Sequence, residues 1–176
     1  MSEYDLPDVD RFTAGAVGEP GKRVFFLQAV AAGDVVTVQC EKTQVSALGA
    51  YLAQLLSDLP APDVTSVPSE LELVEPLEPV WIAGPIGVVF DETRDRMVVR
   101  IDELSLDEAG EDEPGGGDDE RTLGLLRVAL TRAQVHGFVV RAATLIAAGR
   151  PACTLCGRPI DPEGHMCIKT NGHKKH

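Results

Sequence analysis

Two stretches of this chain echo each other, and that echo restricts the fold more than any other feature. FTAGAVG at 12–18 matches WIAGPIG at 81–87: an aromatic, Ala-Gly, an apolar residue, then Gly. Further on, CEKTQVSALGAYL at 40–52 aligns with LTRAQVHGFVVRA at 130–142, sharing Gln44-Val45 and Gln134-Val135. The first pair is offset by 69 residues and the second by 90. The difference is about the size of a Gly-rich acidic insertion lying between the second-half matches. An internal duplication is the expectation.

Each half has the same local pattern. In the first, 11–18 and 23–31 are expected strands around the turn Gly18-Glu19-Pro20-Gly21, with Val24-Phe25-Phe26-Leu27 of the β-branched and aromatic kind that strands prefer. Ala32-Gly33-Asp34 turns the chain into a third strand, Val35 to Cys40. A helix is predicted from Thr43 to Asp58, with Val45, Leu48, Leu52, Leu55, Leu56 and Leu59 on one stripe, stopped by Pro60 and Pro62. In the second half, Val80–Asp91 and Arg96–Leu104 form a hairpin, and a third strand covers Thr122–Leu130. Thr131 and Gln134 have capping-box spacing, and Val135, Phe138, Val139, Ala142 and Ile146 form the stripe of the helix that follows. The expected class is α+β: two strand-strand-strand-helix repeats, about 11–59 and 80–149, making about six antiparallel strands and two helices within residues 1–150. How the two repeats pack is open at this level.

The formal charge of −12 is unevenly placed. Residues 58–80 hold six acids, no base and five prolines. Residues 102–120 hold ten acids, no base and the run Pro114-Gly115-Gly116-Gly117. Both segments read as solvated connectors, the second also as an acidic loop on which a basic partner can dock.

The metal-ligand chemistry lies in residues 151–176. Cys153-Thr154-Leu155-Cys156-Gly157 is a C-x-x-C-Gly knuckle, and His165-Met166-Cys167 follows eight residues later. Three sulfurs and one nitrogen suit a tetrahedral structural zinc on Cys153, Cys156, His165 and Cys167, with His173 and His176 in reserve. The segment has only Leu155, Ile160, Met166 and Ile168 as sizeable aliphatic or thioether side chains, too few for a core without a metal or cross-link. A disulfide or redox pair is the competing reading. Glu163 reads as a turn residue rather than a catalytic acid, and Cys40 as a buried inert thiol.

C-x-x-C-Gly-x-Pro-Ile-Asp-Pro-x-Gly-His-x-Cys at 153–167, after Ala-Ala-Gly-Arg-Pro at 147–151, resembles an actinobacterial family of conserved hypothetical proteins, a domain of unknown function. The starts at 11–18 and 129–134 also fit, so the resemblance spans nearly the whole chain. It implies the zinc-binding tail, with no activity attached. In that family the third cysteine is usually followed by Pro-Arg-x-Asn-Gly-Tyr; here Ile168-Lys169 and His173 depart from it, which leaves the choice between His165 and His173 as fourth ligand open.

No phosphate loop, nucleophile elbow or H-E-x-x-H is present, and Gly84-Pro85-Ile86-Gly87 reads as a strand kink or bulge. His136 lies beside its helix stripe and is expected to face solvent. No apolar run reaches the ~18 residues of a membrane span, and the start of the chain is acidic, without a base before Arg11. A cytoplasmic location with no membrane partner is the expectation. The function read from these features is a non-catalytic zinc-binding protein that serves as a macromolecular interaction module, with a protein partner in view. The alternatives are a single-stranded nucleic-acid-binding factor using Lys169, Lys174, Lys175 and the tail histidines, and an enzyme with its site between the two repeats.

Overall fold

The computed structural model describes residues 3–62, 71–105, 123–149, 153–158, 160, 167 and 169. Among these the chain is α+β, with seven strands in two sheets and two helices. In order the elements are β1 (Glu3–Leu6), β2 (Arg11–Val17), β3 (Val24–Ala31), β4 (Asp34–Cys40), α1 (Lys42–Ser57), β5 (Ala83–Asp91), β6 (Arg96–Glu103), β7 (Leu125–Leu130) and α2 (Arg132–Ala147). Three antiparallel strands and a helix therefore occur twice.

Local chemistry accounts for these elements. The β3–β4 hairpin turns on Ala32 and Gly33, both at positive φ (50° and 91°), as a two-residue turn matching strand twist requires. Asp10 Oδ2 accepts from the Ala32 N–H at 2.9 Å and holds that turn. At the β5–β6 turn, Asp91 Oδ1 accepts from the Thr93 and Arg94 amides. Arg132 grips Asp95 through two hydrogen bonds and donates to Pro60 O, tying this hairpin to the end of α1. The stripe of α1 buries Val45, Leu48 and Leu52, and that of α2 buries Val135, Phe138 and Ala142.

The first sheet has the order β2-β3-β4, the second β1-β7-β6-β5. Alternate residues of each point into one shared cluster. Phe12, Leu27 and Val38 come from the first sheet, Met97, Val99, Ile101, Leu126 and Val128 from the second, and the helix stripes complete it. The halves interlock: Phe12 of β2 stacks on Phe138 of α2, ring centroids 5.0 Å apart. The sheets also meet through the stretch before β5, where Val80 N–H donates to Thr37 O, Gln39 N–H to Trp81 O and Leu104 N–H to Ile82 O.

The two echoed glutamines have matching jobs. Each sits at the third position of its helix and closes a capping box, Gln44 with Glu41 and Gln134 with Thr131. Each then donates across to the other half: Gln44 Nε2 to Ala83 O and Gly84 O, Gln134 Nε2 to Val9 O. The kink expected at Gly84–Gly87 is a register shift between Ala83 and Ile86.

Two features differ from the sequence reading. A seventh strand, β1, joins the edge of the second sheet parallel to β7, Glu3 opposite Leu125 and Leu6 opposite Val128. Part of the acidic Pro-rich segment is not a solvated connector: residues 71–76 lie across the outer face of the first sheet. Thr13, Gln28 and Thr37 form one cross-strand row on that face and are fully or almost fully buried. Their side chains hold the strap by its backbone. Thr13 Oγ1 donates to Leu71 O, Gln28 Nε2 to Val74 O at 2.7 Å, and Thr37 Oγ1 to Pro76 O. Val74 N–H donates back to Gln28 Oε1 at 2.9 Å. Leu73 lies over Gly15, where any Cβ would overlap it. Arg141 of α2 pins Glu72 with two hydrogen bonds and donates from Nε to Ala14 O. Polar residues in mid-strand are tolerated here because every one finds a partner in the strap.

Of the acidic insertion expected at 102–120, Asp102 and Glu103 belong to β6, and 106–122 lie outside the described residues.

Candidate metal centre

The knuckle is built by its own backbone. Gly157 N–H donates to Cys153 O at 2.8 Å, and Cys153 N–H to Arg158 O at 2.7 Å, closing a tight turn that brings Cys153 and Cys156 together. Gly157 takes φ +73°, a left-handed value that an L side chain rarely adopts, which is why glycine follows the second cysteine. Cys167 returns to this turn from eleven residues downstream of Cys156. The Sγ atoms of Cys153, Cys156 and Cys167 all lie within 4.8 Å of one another, and those of Cys153 and Cys167 are 3.9 Å apart.

That spacing bears on the two chemistries considered for these thiols. A disulfide needs ~2.05 Å between sulfurs, and among the described residues no two cysteines are joined in one. Thiolates at ~2.3 Å from a tetrahedral ion stand about 3.8 Å apart, so the Cys153–Cys167 edge at 3.9 Å matches that spacing and the other two edges are no longer than 4.8 Å. Cys153 and Cys167 are buried and Cys156 is half-buried.

The electrostatics of the turn favour a sulfur anion at its head. The backbone amides of Cys156 and Leu155 bond the Cys153 sulfur and hold its thiol below the ordinary value against the opposing effect of burial. Cys156 receives the Arg158 amide, which lowers its pKa, but burial and the thiols of Cys153 and Cys167 outweigh it, leaving Cys156 raised. Cys153 is thus eased towards the thiolate, whereas Cys156 resists ionisation unless a cation compensates the charge.

Of the four expected ligands, Cys153, Cys156 and Cys167 come together; His165 lies outside the described residues, as do Glu163, His173 and His176. Cys40 lies apart in β4, 6% exposed, its thiol pushed up to about 12 by burial and by Glu41. His136 is half-buried on α2 rather than fully solvent-facing. The groove between the halves, about 490 Å³, runs between α1 and β5 past Leu48, Tyr51, Ile86 and Val88, and Tyr51 is the one titratable residue lining it among the described residues. Sequence reasoning did not mark Thr13, Gln28 and Thr37; their only signal is polarity in mid-strand, which also fits a solvent-exposed face.

Fold and cluster together define a class, an α+β protein with a three-thiol cluster that can hold a metal ion. Residues 4–167 match a family described as "Protein of unknown function (DUF3090)", and the chain belongs to that family. No curated protein and no solved structure matches it. Among the described residues no helix is long and apolar enough to cross a membrane.

Proposed function

We propose that this chain is a non-catalytic zinc protein whose C-terminal knuckle, residues 151–176, is clamped by a structural ion and presented by a duplicated α+β body, residues 1–150, as a contact site for a protein partner. The observation that carries the reading is the sulfur triangle of Cys153, Cys156 and Cys167. Zinc is favoured by the all-thiolate face and the C-x-x-C-Gly turn, with His165 as the fourth ligand that closes the tetrahedron. Leu155, 45% exposed at the tip of the knuckle, supplies apolar surface for a contact.

A protein partner fits the surface better than single-stranded nucleic acid. Five of the eight aromatic side chains (Phe12, Phe25, Phe26, Trp81 and Phe138) are buried and only Tyr51 is exposed, which leaves little for base stacking. The outer face of the second sheet mixes Asp5, Arg127, Arg100 and Asp102 in ion pairs rather than forming a basic stripe.

The test is elemental analysis of the purified full chain, the Cys153→Ser variant and the His165→Ala variant. Zinc near one equivalent, lost in Cys153→Ser and weakened in His165→Ala, is the expected result; a folded protein purified without metal overturns the clamp. Salt-sensitive retention on a polyanion column would favour the nucleic-acid reading instead.

A further inference from the structure

The two sheets have four edges, and three are closed by recognisable means. The free side of β1 belongs to a four-residue strand bearing Glu3 and Asp5. That of β2 is covered by α2, with Arg141 on Ala14 O and Gln134 on Val9 O, and that of β4 pairs with residues 80–82. Short strands, charges and coverage are how native sheets avoid joining other chains. The edge of β5 is different. Its first residues are protected by Pro85, the bulge and the Gln44 amide on Ala83 O and Gly84 O. From Ile86 to Phe90 the strand reads Ile-Gly-Val-Val-Phe, with no charge and no proline, and its partner on one side is β6. Among the described residues no strand lies on the other side.

We infer that this edge pairs with the same edge of a second copy, antiparallel about a two-fold axis at Val88, joining two four-stranded sheets into one of eight. The inference is independent of the cysteine cluster. An isologous contact must be complementary to itself, and this strand is. With Val88 opposite the partner's Val88, Gly87 faces the partner's Val89 and Ile86 faces the partner's Phe90. On the outer face Val89 is 67% exposed, while a Cβ at Gly87 would find nothing within 4 Å, so each valine enters the space left by a glycine. On the inner face Ile86, Val88 and Phe90 are half-buried, and the groove of about 490 Å³ that Ile86 shares with Leu48 and Tyr51 receives the partner's phenylalanine.

Charge permits this register. Asp91 meets the partner's Pro85, and the two Asp91 residues stand six positions apart along the paired strands, about 20 Å at strand rise, beyond the ~8 Å screening length at physiological salt. Pairing residues 86–91 and covering Tyr51 buries at most on the order of 1,000 Å² in all, at the small end of specific interfaces. A contact of that size is of the weak, reversible kind.

The experiment is sedimentation equilibrium of the full chain in reductant, from about 1 to 500 micromolar. It compares the wild type with Gly87→Glu/Val89→Glu and Gly87→Glu/Val89→Lys, circular dichroism confirming that both variants fold. In the proposed register the first variant sets like charges opposite each other twice, the second opposite charges twice. The wild type is expected to dimerise with rising concentration, the Glu/Glu variant at least about tenfold more weakly, and the Glu/Lys variant within about threefold of the wild type. A wild type that stays monomeric throughout overturns the proposal and leaves the edge to a strand from another protein. Equal association of the two variants overturns the register and with it the interface.

Discussion

Replacing Gln28 by Leu tests whether the strap belongs to the folded core. Leucine has nearly the volume of glutamine but removes three hydrogen bonds: Nε2 to Thr37 Oγ1 at 3.0 Å, Nε2 to Val74 O at 2.7 Å, and Val74 N to Oε1 at 2.9 Å. At a net ~1 kcal/mol each, the loss is about 3 kcal/mol. Two responses compete. If the strap stays, the Val74 N–H and C=O are left without partners in a partly dry site, at ~1–3 kcal/mol apiece. If it lifts, those groups regain water, but the Thr13 and Thr37 bonds, the Leu73 contact and the Arg141–Glu72 pair are lost with it. The cheaper response sets the cost, so about 3 kcal/mol is expected, a fall of roughly 6–12 °C in Tm for a chain of this size. Urea denaturation gives the magnitude and hydrogen exchange at the Val74 amide gives the cause. A loss below about 1 kcal/mol, or unchanged protection at Val74, would refute the reasoning.

Three further outcomes follow from single sites. Gly15→Ala drives a methyl into Leu73 and is expected to destabilise by ~1–3 kcal/mol; adding Leu73→Ala should recover much of the loss, and strictly additive denaturation midpoints would sink this contact. Ala32→Gly should stabilise by roughly 1 kcal/mol in thermal melts, since Ala32 is held at φ 50° and glycine adopts that value without strain. A Tm that falls would count against the turn geometry. Cys40 has a pKa raised to about 12 in the folded state, so the folded protein keeps its proton while the unfolded chain ionises from about pH 9. Its contribution is complete below that pH and is lost as the pH climbs toward 12. At pH 10 the wild type should have lost about 1.4 kcal/mol more than Cys40→Ala, relative to pH 7.5; parallel pH profiles would show that the thiol is not sealed.

Much of the architecture was legible in order along the chain. The apolar stripe from Val45 to Leu59, the Thr131-Gln134 capping box, the turn at Ala32-Gly33 and the Gly84–Gly87 kink all register within a window of a few residues, and each is where the periodicity put it. The C-x-x-C-Gly knuckle is equally local, because its geometry is set by backbone bonds between Cys153 and Arg158. The β1 strand was not legible: EYDL is four residues long, half of them acidic, and is a strand only because β7, over a hundred residues away, offers it an edge.

Side-chain periodicity reports which face of an element is apolar, since it depends on neighbours a turn or a strand step apart. It does not report which distant backbone will come to rest on that face. The amino-acid order alone therefore settled the class, the run of strands and helices from β2 to α2, and the cysteines fit for a metal. Tertiary packing decided the rest. It turned Thr13, Gln28 and Thr37 from apparent surface residues into the buried grip on an acidic strap, interlocked the halves through Phe12 and Phe138, and set Cys167 beside Cys153. Those contacts join segments that only a closed chain brings within hydrogen-bonding and van der Waals range.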